Sequence, residues 1–437
     1  MWSAVKTGIG FRQASRPGKP QQWVRIPAKK ESSHFLLMGD TGAGKSAAIR
    51  QILAQIESSR DVAIVYDPAG EFTPQFYNPD RGDVILNPLD ARCPFWSPAD
   101  ELLIGAEALT MAQSMYPEKP QENSFFSDAP QRIMSAILSQ RRDADYIVSL
   151  ISNNGRQLDT LVRNTPYAAM IDEQAGPQRA GVIASLNMVA DALLLLPTAA
   201  GRPRWSATAW SRRRRGWIFF TGTSETRARL RPLTSLWLDL LVLRLMNQHQ
   251  THEAADTRVW FVIDELASLQ KLPQLHTAMT EARKSGCPLV LAFQGRSQMN
   301  LRYGLDAETM LSQPATKLFM RNSEPDSAKW VSDAIGHVEI ERIRLSRSNQ
   351  DGWASTSRHS QNMALERQVE PLVLASEMGG LDDLVCYLKF GNLVTRMVLD
   401  LEPRAMRHPS YIPRPDVATA GTPPSLFGQA APVTVFA

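Results

Sequence analysis

Eight residues, Gly39-Asp40-Thr41-Gly42-Ala43-Gly44-Lys45-Ser46, constrain this chain more than any other stretch. They fit G-x-x-x-x-G-K-[ST], the phosphate-cradling loop of nucleoside triphosphatases. The flanks agree with the motif. Phe35-Leu36-Leu37-Met38 reads as a buried strand leading into it, and Ile49, Ile52, Leu53 and Ile56 recur behind it at helical spacing. Glycines let the backbone curl with its N–H groups turned towards an anion, and the start of the helix adds partial positive charge. The cofactor-binding candidates are therefore Gly39, Asp40, Thr41, Gly42, Ala43, Gly44, Lys45 and Ser46. Lys45 is expected to reach the β- and γ-phosphates of ATP, and the Ser46 hydroxyl to hold Mg²⁺.

A triphosphatase also needs a buried strand that ends in acid. Val259-Trp260-Phe261-Val262-Ile263-Asp264-Glu265 supplies one. Five apolar residues in succession suit a central parallel strand covered on both faces. Asp264 is the second candidate Mg²⁺ ligand, and Glu265 the candidate general base that polarises water. The next strand, Leu289–Phe293, ends in Gln294, a polar residue placed to sense the γ-phosphate. Asp67 and Glu71 end another strand. There, positioning of water or Mg²⁺ competes with an ordinary D-P-x-G turn, and the turn is the stronger reading for Glu71. Arg283, Arg296 and Arg321 are candidates for an arginine that completes a neighbouring subunit's site. The run from Arg212 to Arg215 reads as a solvated loop rather than a phosphate grip.

At 437 residues the chain is too long for one ordinary core. Alternating strand and helix signals from His34 to 88 imply an α/β fold with a mainly parallel sheet. Strand signals then vanish. Residues 98–196 read as an all-helical insertion, with helices near 99–116, 129–141 and 180–196. Strands return at 217–221, Val259–Ile263, Leu289–Phe293 and 317–320, and an antiparallel pair is expected at Val385–Phe390 and 393–399. The expected domains are a strand-poor arm over 1–30, a nucleotide-binding motor over 31–97 and 197–402, the insertion, and a proline-rich tail over 403–437. In this reading the strand at 61–67 lies beside the P-loop strand.

Composition narrows the class further. Forty-eight basic against 44 acidic residues leave a net charge of only +4, so any nucleic-acid surface has to be local. Cys93, Cys287 and Cys386 are far apart and show no metal-binding spacing, as expected of reduced thiols in a cytosolic setting. No run approaches the ~20 apolar residues of a membrane span, and residues 1–20 lack the apolar core of a secretory signal.

Taken together, H-F-L-L-M-G-D-T-G-A-G-K-S, V-Y-D-P-A-G-E, I-L-N-P-L-D, L-R-P-L, W-F-V-I-D-E-L-A-S-L and E-A-R-K-S-G resemble the TrwB/TraD group of type IV coupling proteins. That group sits within the hexameric FtsK/HerA-like translocases. The resemblance spans about residues 34 to 400. It implies a RecA-like P-loop domain with an inserted all-α domain, and carries Lys45, Asp264, Glu265 and Gln294 over as catalytic positions. It further implies a DNA-dependent ATPase that pumps DNA, mainly single-stranded and held by its backbone, through a homo-hexameric ring. The implied partners are a relaxase or relaxosome and the channel proteins of a type IV secretion system. The family usually carries N-terminal membrane helices, which this chain lacks. The expected location is thus cytoplasmic, at the inner face of the inner membrane, reached through partners or a missing N-terminal anchor. Two other functions fit the motifs: a secretion ATPase that moves protein, and a docking receptor gated by nucleotide. Stimulation by DNA separates the first, and multiple-turnover hydrolysis the second.

Overall fold

The computed structural model describes residues 7–14, 22–118, 123–152, 156–172, 174–246, 257–281, 286–350 and 358–418. In chain order its strands are β1 (Gly10–Arg12), β2 (Trp23–Arg25), β3 (Phe35–Met38), β4 (Val62–Asp67), β5 (Val84–Leu86), β6 (Ile218–Thr221) and β7 (Val259–Ile263). They continue with β8 (Leu289–Phe293), β9 (Thr316–Phe319), β10 (His337–Gln350), β11 (Arg358–Pro371), β12 (Val385–Phe390) and β13 (Leu393–Val398). Nine of them form one sheet in the order β13-β12-β9-β3-β8-β7-β4-β6-β5. From β9 to β5 every pairing is parallel, whereas β12 joins β9 and β13 joins β12 antiparallel. The α/β architecture and the mainly parallel sheet stand as expected. So does the β12–β13 hairpin, whose turn at Gly391 has φ +58°. β3, β4, β6, β7 and β8 are buried at every position, as unbroken apolar runs require of strands covered on both faces.

Strand order departs from the sequence reading. β4 does not lie beside β3, because β8 and β7 intervene, and Ile64 of β4 is matched to Phe261 on one side and Ile218 on the other. Apolar runs identify strands but not neighbours. Order follows from where each crossover helix can pack, which is a property of the whole layer.

The N-terminal segment also differs from a strand-poor arm. β1 and β2 pair antiparallel, with Phe11 opposite Val24. The pair lies on the P-loop helix, Lys45–Ser59, whose glutamines bind its backbone. Gly10 N donates to Gln55 Oε1 at 2.9 Å and Arg12 N to Gln51 Oε1 at 2.7 Å. Strands of three residues carry too little alternation to read in advance. The β10–β11 hairpin escaped the sequence reading for another reason. Its strands pair only with each other, and both faces mix charged and apolar residues, so no period of two emerges.

Between β5 and β6 the described residues contain helices and no strand, among them Glu107–Met115, Phe125–Leu138, Ala144–Ser152, Arg156–Val162 and Gly176–Leu193. The helix expected from 99 starts only at Glu107. Buried Glu101 holds the preceding segment irregular by accepting from Trp96 Nε1 at 2.8 Å, Ala207 N at 2.7 Å and Thr208 N at 3.0 Å. Part of the C-terminal tail wraps the surface: Arg407 N donates to Pro74 O at 2.8 Å and Arg414 N to Leu89 O at 2.9 Å. Residues 419–437 lie outside the described residues.

From Leu230 on, the helix Arg227–Met246 is buried at most positions and forms a seam between these helices and the sheet. Trp237 is fully buried in it, edge-on to Trp96 and Trp205. Asp239, two residues on, is also fully buried. It accepts from Ser114 Oγ at 2.5 Å and Gln274 N at 2.9 Å. Burial pushes its carboxyl from the usual 3.8 up to about 7, although both hydrogen bonds pull the other way. The native chain thus keeps a proton that the unfolded chain has lost. Its contribution to stability is full below pH ~4 and fades as pH rises to about 7. Asp239→Asn keeps the shape without the charge, and is expected to flatten that part of the profile. Urea midpoints of parent and variant across pH 4 to 8 check this, and parallel profiles would sink it.

Candidate nucleotide site

β3, β8 and β7 are adjacent and parallel, so their carboxyl ends bring Gly39, Gln294 and Asp264 to one edge of the sheet. Ligands in open α/β sheets bind at such an edge. The loop after β3 is held tightly. Gly39 N donates to Phe293 O at 3.3 Å and Asp40 N to Arg321 O at 2.8 Å. A Cβ on Gly39 would stand 2.7 Å from Met320 Cβ, so no larger residue fits between β3 and β9 there. Gly44 turns into the helix with φ +120°, a conformation that side-chain-bearing residues rarely adopt.

Lys45 is buried at the start of the helix. Its Nζ donates to Gly39 O at 2.6 Å and Asp40 O at 2.9 Å, folding the side chain back over the loop. Burial lowers its pKa, while Glu265, Asp264, Asp40 and Glu71 raise it. The carboxylates of three separate segments thus converge on one ammonium. Asp264 is pushed up to about 7, first by burial and then by Asp67, Glu71 and Glu265, with Lys45 opposing. Glu265 is raised chiefly by burial; Lys45, Gln294 and Arg227 pull it down. Gln294 Nε2 donates to Glu265 Oε2 at 3.1 Å, whereas Glu265 Oε1 is buried and bonded to nothing. A buried acceptor without a donor costs about 1–3 kcal/mol, so this oxygen stands ready for a polar hydrogen.

Ser46 follows Lys45 in the first helical turn, and Asp264 directly follows β7. Among the described residues no three His, Cys, Asp or Glu side chains are grouped to cage a metal. That suits Mg²⁺, which keeps several waters and takes one or two protein ligands beside substrate phosphates.

Asp67 serves the turn. Its carboxylate accepts from the N–H groups of Glu71, Phe72 and Thr73 at 2.8, 3.0 and 2.7 Å, and Gly70 N closes on its carbonyl. Glu71 pairs with Arg50 at 3.0 Å. Of the candidate arginines, Arg296 binds Glu308 at 2.7 Å and Arg321 binds Asp383 at 2.8 Å. Arg283 lies outside the described residues. Arg212, Arg213 and Arg215 are exposed at the end of the helix Ala207–Arg213. The three cysteines are buried, and burial pushes the Cys93 and Cys386 thiols up to about 12.

Three residues of the site went unread in the sequence. Ser323 donates to Asp40 Oδ2 through its N at 2.9 Å and its Oγ at 2.5 Å. Leu384 N donates to Ala43 O at 3.0 Å, and its backbone packs against Gly44. Arg227 Nη2 donates to Pro68 O at 2.9 Å, with its charge acting on Glu265. All three come from far along the chain, and no local spacing marks them.

Residues 22–401 match the model of the type IV secretion-system coupling protein DNA-binding domain. Coupling protein TraD of Escherichia coli (strain K12) is 30% identical over 400 residues, which are 88% of this chain and 55% of TraD. The chain thus spans about half the length of that relative. Among solved structures, the unbound monoclinic form of the bacterial conjugative coupling protein TrwBdeltaN70 is similar at a TM-score of 0.78 and 25% identity, covering 90% of each chain. Plasmid coupling protein TrwB in complex with ADP and Mg²⁺ follows at 0.75 and 25%, covering 89% of this chain and 90% of that one. The fold is the RecA-like P-loop α/β fold, and the chain belongs to the TrwB/TraD family of type IV secretion-system coupling proteins.

Proposed function

We propose that this chain is a DNA-dependent ATPase that pumps single-stranded DNA through a homo-hexameric ring, passing it from a relaxosome to a type IV secretion channel. The observation that carries the proposal is the state of Glu265: one oxygen held by Gln294, the other buried and unbonded, in a site with Lys45 and Asp264. A nucleotide switch has no use for a second, half-satisfied carboxylate; a hydrolase needs one to take a proton from water.

In this reading the P-loop from Gly39 to Ser46 cradles the phosphates of ATP. Lys45 leaves the carbonyls of Gly39 and Asp40 to meet the γ-phosphate. Ser46 and Asp264 hold Mg²⁺, which neutralises charge developing on the phosphates. Glu265 orients and deprotonates the attacking water, with Gln294 fixing its rotamer. Support comes from TrwB, which is similar over nearly the whole chain and has been solved with ADP and Mg²⁺. An arginine from the neighbouring subunit, drawn from Arg283, Arg296 and Arg321, completes the site.

Residues 98–196 act as the inserted all-α domain that receives the DNA-processing partner, and 31–97 with 197–402 as the motor. The buried seam at Ser114–Asp239 and Glu107–Arg244 joins the two, so cutting the insertion out strips partners from buried groups. No helix among the described residues is long and apolar enough to cross a membrane. The protein works at the cytoplasmic face of the inner membrane, held there by partners or an anchor.

The test is ATP turnover with and without single-stranded DNA across a range of protein concentrations. Specific activity is expected to rise steeply as the ring assembles, because a trans arginine is worth roughly 10³–10⁵ in rate, and to rise again with DNA. Activity flat in both variables would overturn the proposal.

A further inference from the structure

Beside the nucleotide site a cleft of about 400 Å³ opens between the insertion helices, the helix Arg227–Met246 and the helix Arg296–Tyr303. Two of its lining side chains are Arg231 and Arg302, close enough for the charge of the first to act on the second. Neither has a carboxylate partner among the described residues, and the Nε of each is buried and bonded to nothing. The lining holds a third cation, Lys271, already paired with Asp306 at 3.0 Å, and one described carboxylate, Glu118. Burial lowers the Arg302 pKa, and the nearby Arg231 charge lowers it further. Two guanidiniums in one cleft repel unless an anion joins them, and a phosphate diester can accept from both forks at once. Exposed Phe126, Met188 and Leu301 form the cleft's apolar rim. Cations beside an aromatic and apolar surface are what a single strand uses, phosphate on one and base on the other.

We propose that the Arg231–Arg302 cleft binds a backbone phosphate of single-stranded nucleic acid and reports its presence to the nucleotide site. The report has a covalently short route. Arg302 Nη2 donates to Ala267 O at 3.1 Å, two residues beyond Glu265, so a phosphate that draws Arg302 moves the loop carrying the general base. Arg227, one helical turn before Arg231, acts on Glu265 through its charge. The inference rests on the reading of this chain as a mover of single strands.

The experiment measures anisotropy of a fluorescein-labelled oligothymidylate with the full chain at several salt concentrations. The parent is compared with Arg231→Gln/Arg302→Gln and with the Arg231→Lys/Arg302→Lys pair. The glutamine pair is expected to bind roughly tenfold or more weakly at ~0.1 M salt, and to lose about 0.7 from the slope of log affinity against log salt, as one lost phosphate contact on a single strand requires. The lysine pair, keeping both charges, is expected to recover the slope. A glutamine pair with the parent's melt, affinity and slope would overturn the site while leaving the proposed function standing. Should the glutamine pair fail to fold, the single variants carry the test, each expected to lose about half of that slope change. A parent that binds no oligothymidylate would overturn both. Poly-glutamate bound by the parent and released by the glutamine pair to the same extent as the oligonucleotide would mark an acidic protein ligand, and so also overturn the nucleic-acid assignment.

Discussion

Lys45→Ala is expected to cut ATP turnover roughly 10²–10³-fold, the usual loss when one preorganised charge is removed from a transition state. The fold should survive. Lys45 Nζ touches only the carbonyls of Gly39 and Asp40 within hydrogen-bond range, and the loop they belong to is pinned by Phe293, Arg321 and Leu384 from other segments. Losing two such hydrogen bonds from an edge that water reaches costs about 1–3 kcal/mol. The measurement is steady-state hydrolysis beside a thermal melt. Parent-like turnover in a variant with a parent-like melt would take Lys45 out of the site.

Glu265→Gln is expected to slow hydrolysis by about 10²–10⁴-fold while ATP still binds. The amide is nearly the size of the carboxylate and can keep the contact with Gln294, but it cannot accept a proton from water. Charge near Lys45 also falls by one, so nucleotide affinity should hold or tighten. Stopped-flow binding of a fluorescent ATP analogue and single-turnover chemistry separate the two steps. Weak binding with normal chemistry per bound nucleotide would contradict the general-base role. The pair of variants distinguishes a phosphate contact from a proton acceptor, which a single loss of activity does not.

The motifs were legible because each is a local covalent pattern. The glycine loop needs its residues in one order, and Val259–Ile263 announces a strand buried on both faces whatever surrounds it. Asp67 shows the limit of such reading. The same four letters describe a ligand for metal or water and a turn; only the N–H groups of Glu71, Phe72 and Thr73 around its carboxylate decide for the turn. Neighbouring strands were not legible either. The sequence reading sets β4 beside β3, yet β8 and β7 lie between them, because a parallel sheet orders its strands by where crossover helices pack. The β10–β11 hairpin left no signal, since neither of its faces is apolar enough to impose alternation.

By itself the sequence determined the chemistry on offer: a phosphate loop, a lysine, a hydroxyl, two acids and a glutamine at the ends of apolar strands. Short-range spacing is enough to specify those, because backbone dihedrals and apolar periodicity act over a few residues. Tertiary structure alone decided what the groups do to one another. The packing of β3, β8 and β7 side by side makes Gln294 the partner of Glu265 and leaves the other carboxylate oxygen unbonded. It also draws Ser323, Leu384 and Arg227 to the site and brings Arg231 near Arg302. These are contacts between segments tens to hundreds of residues apart. Their energies depend on burial and dielectric environment, which exist only once the chain has folded.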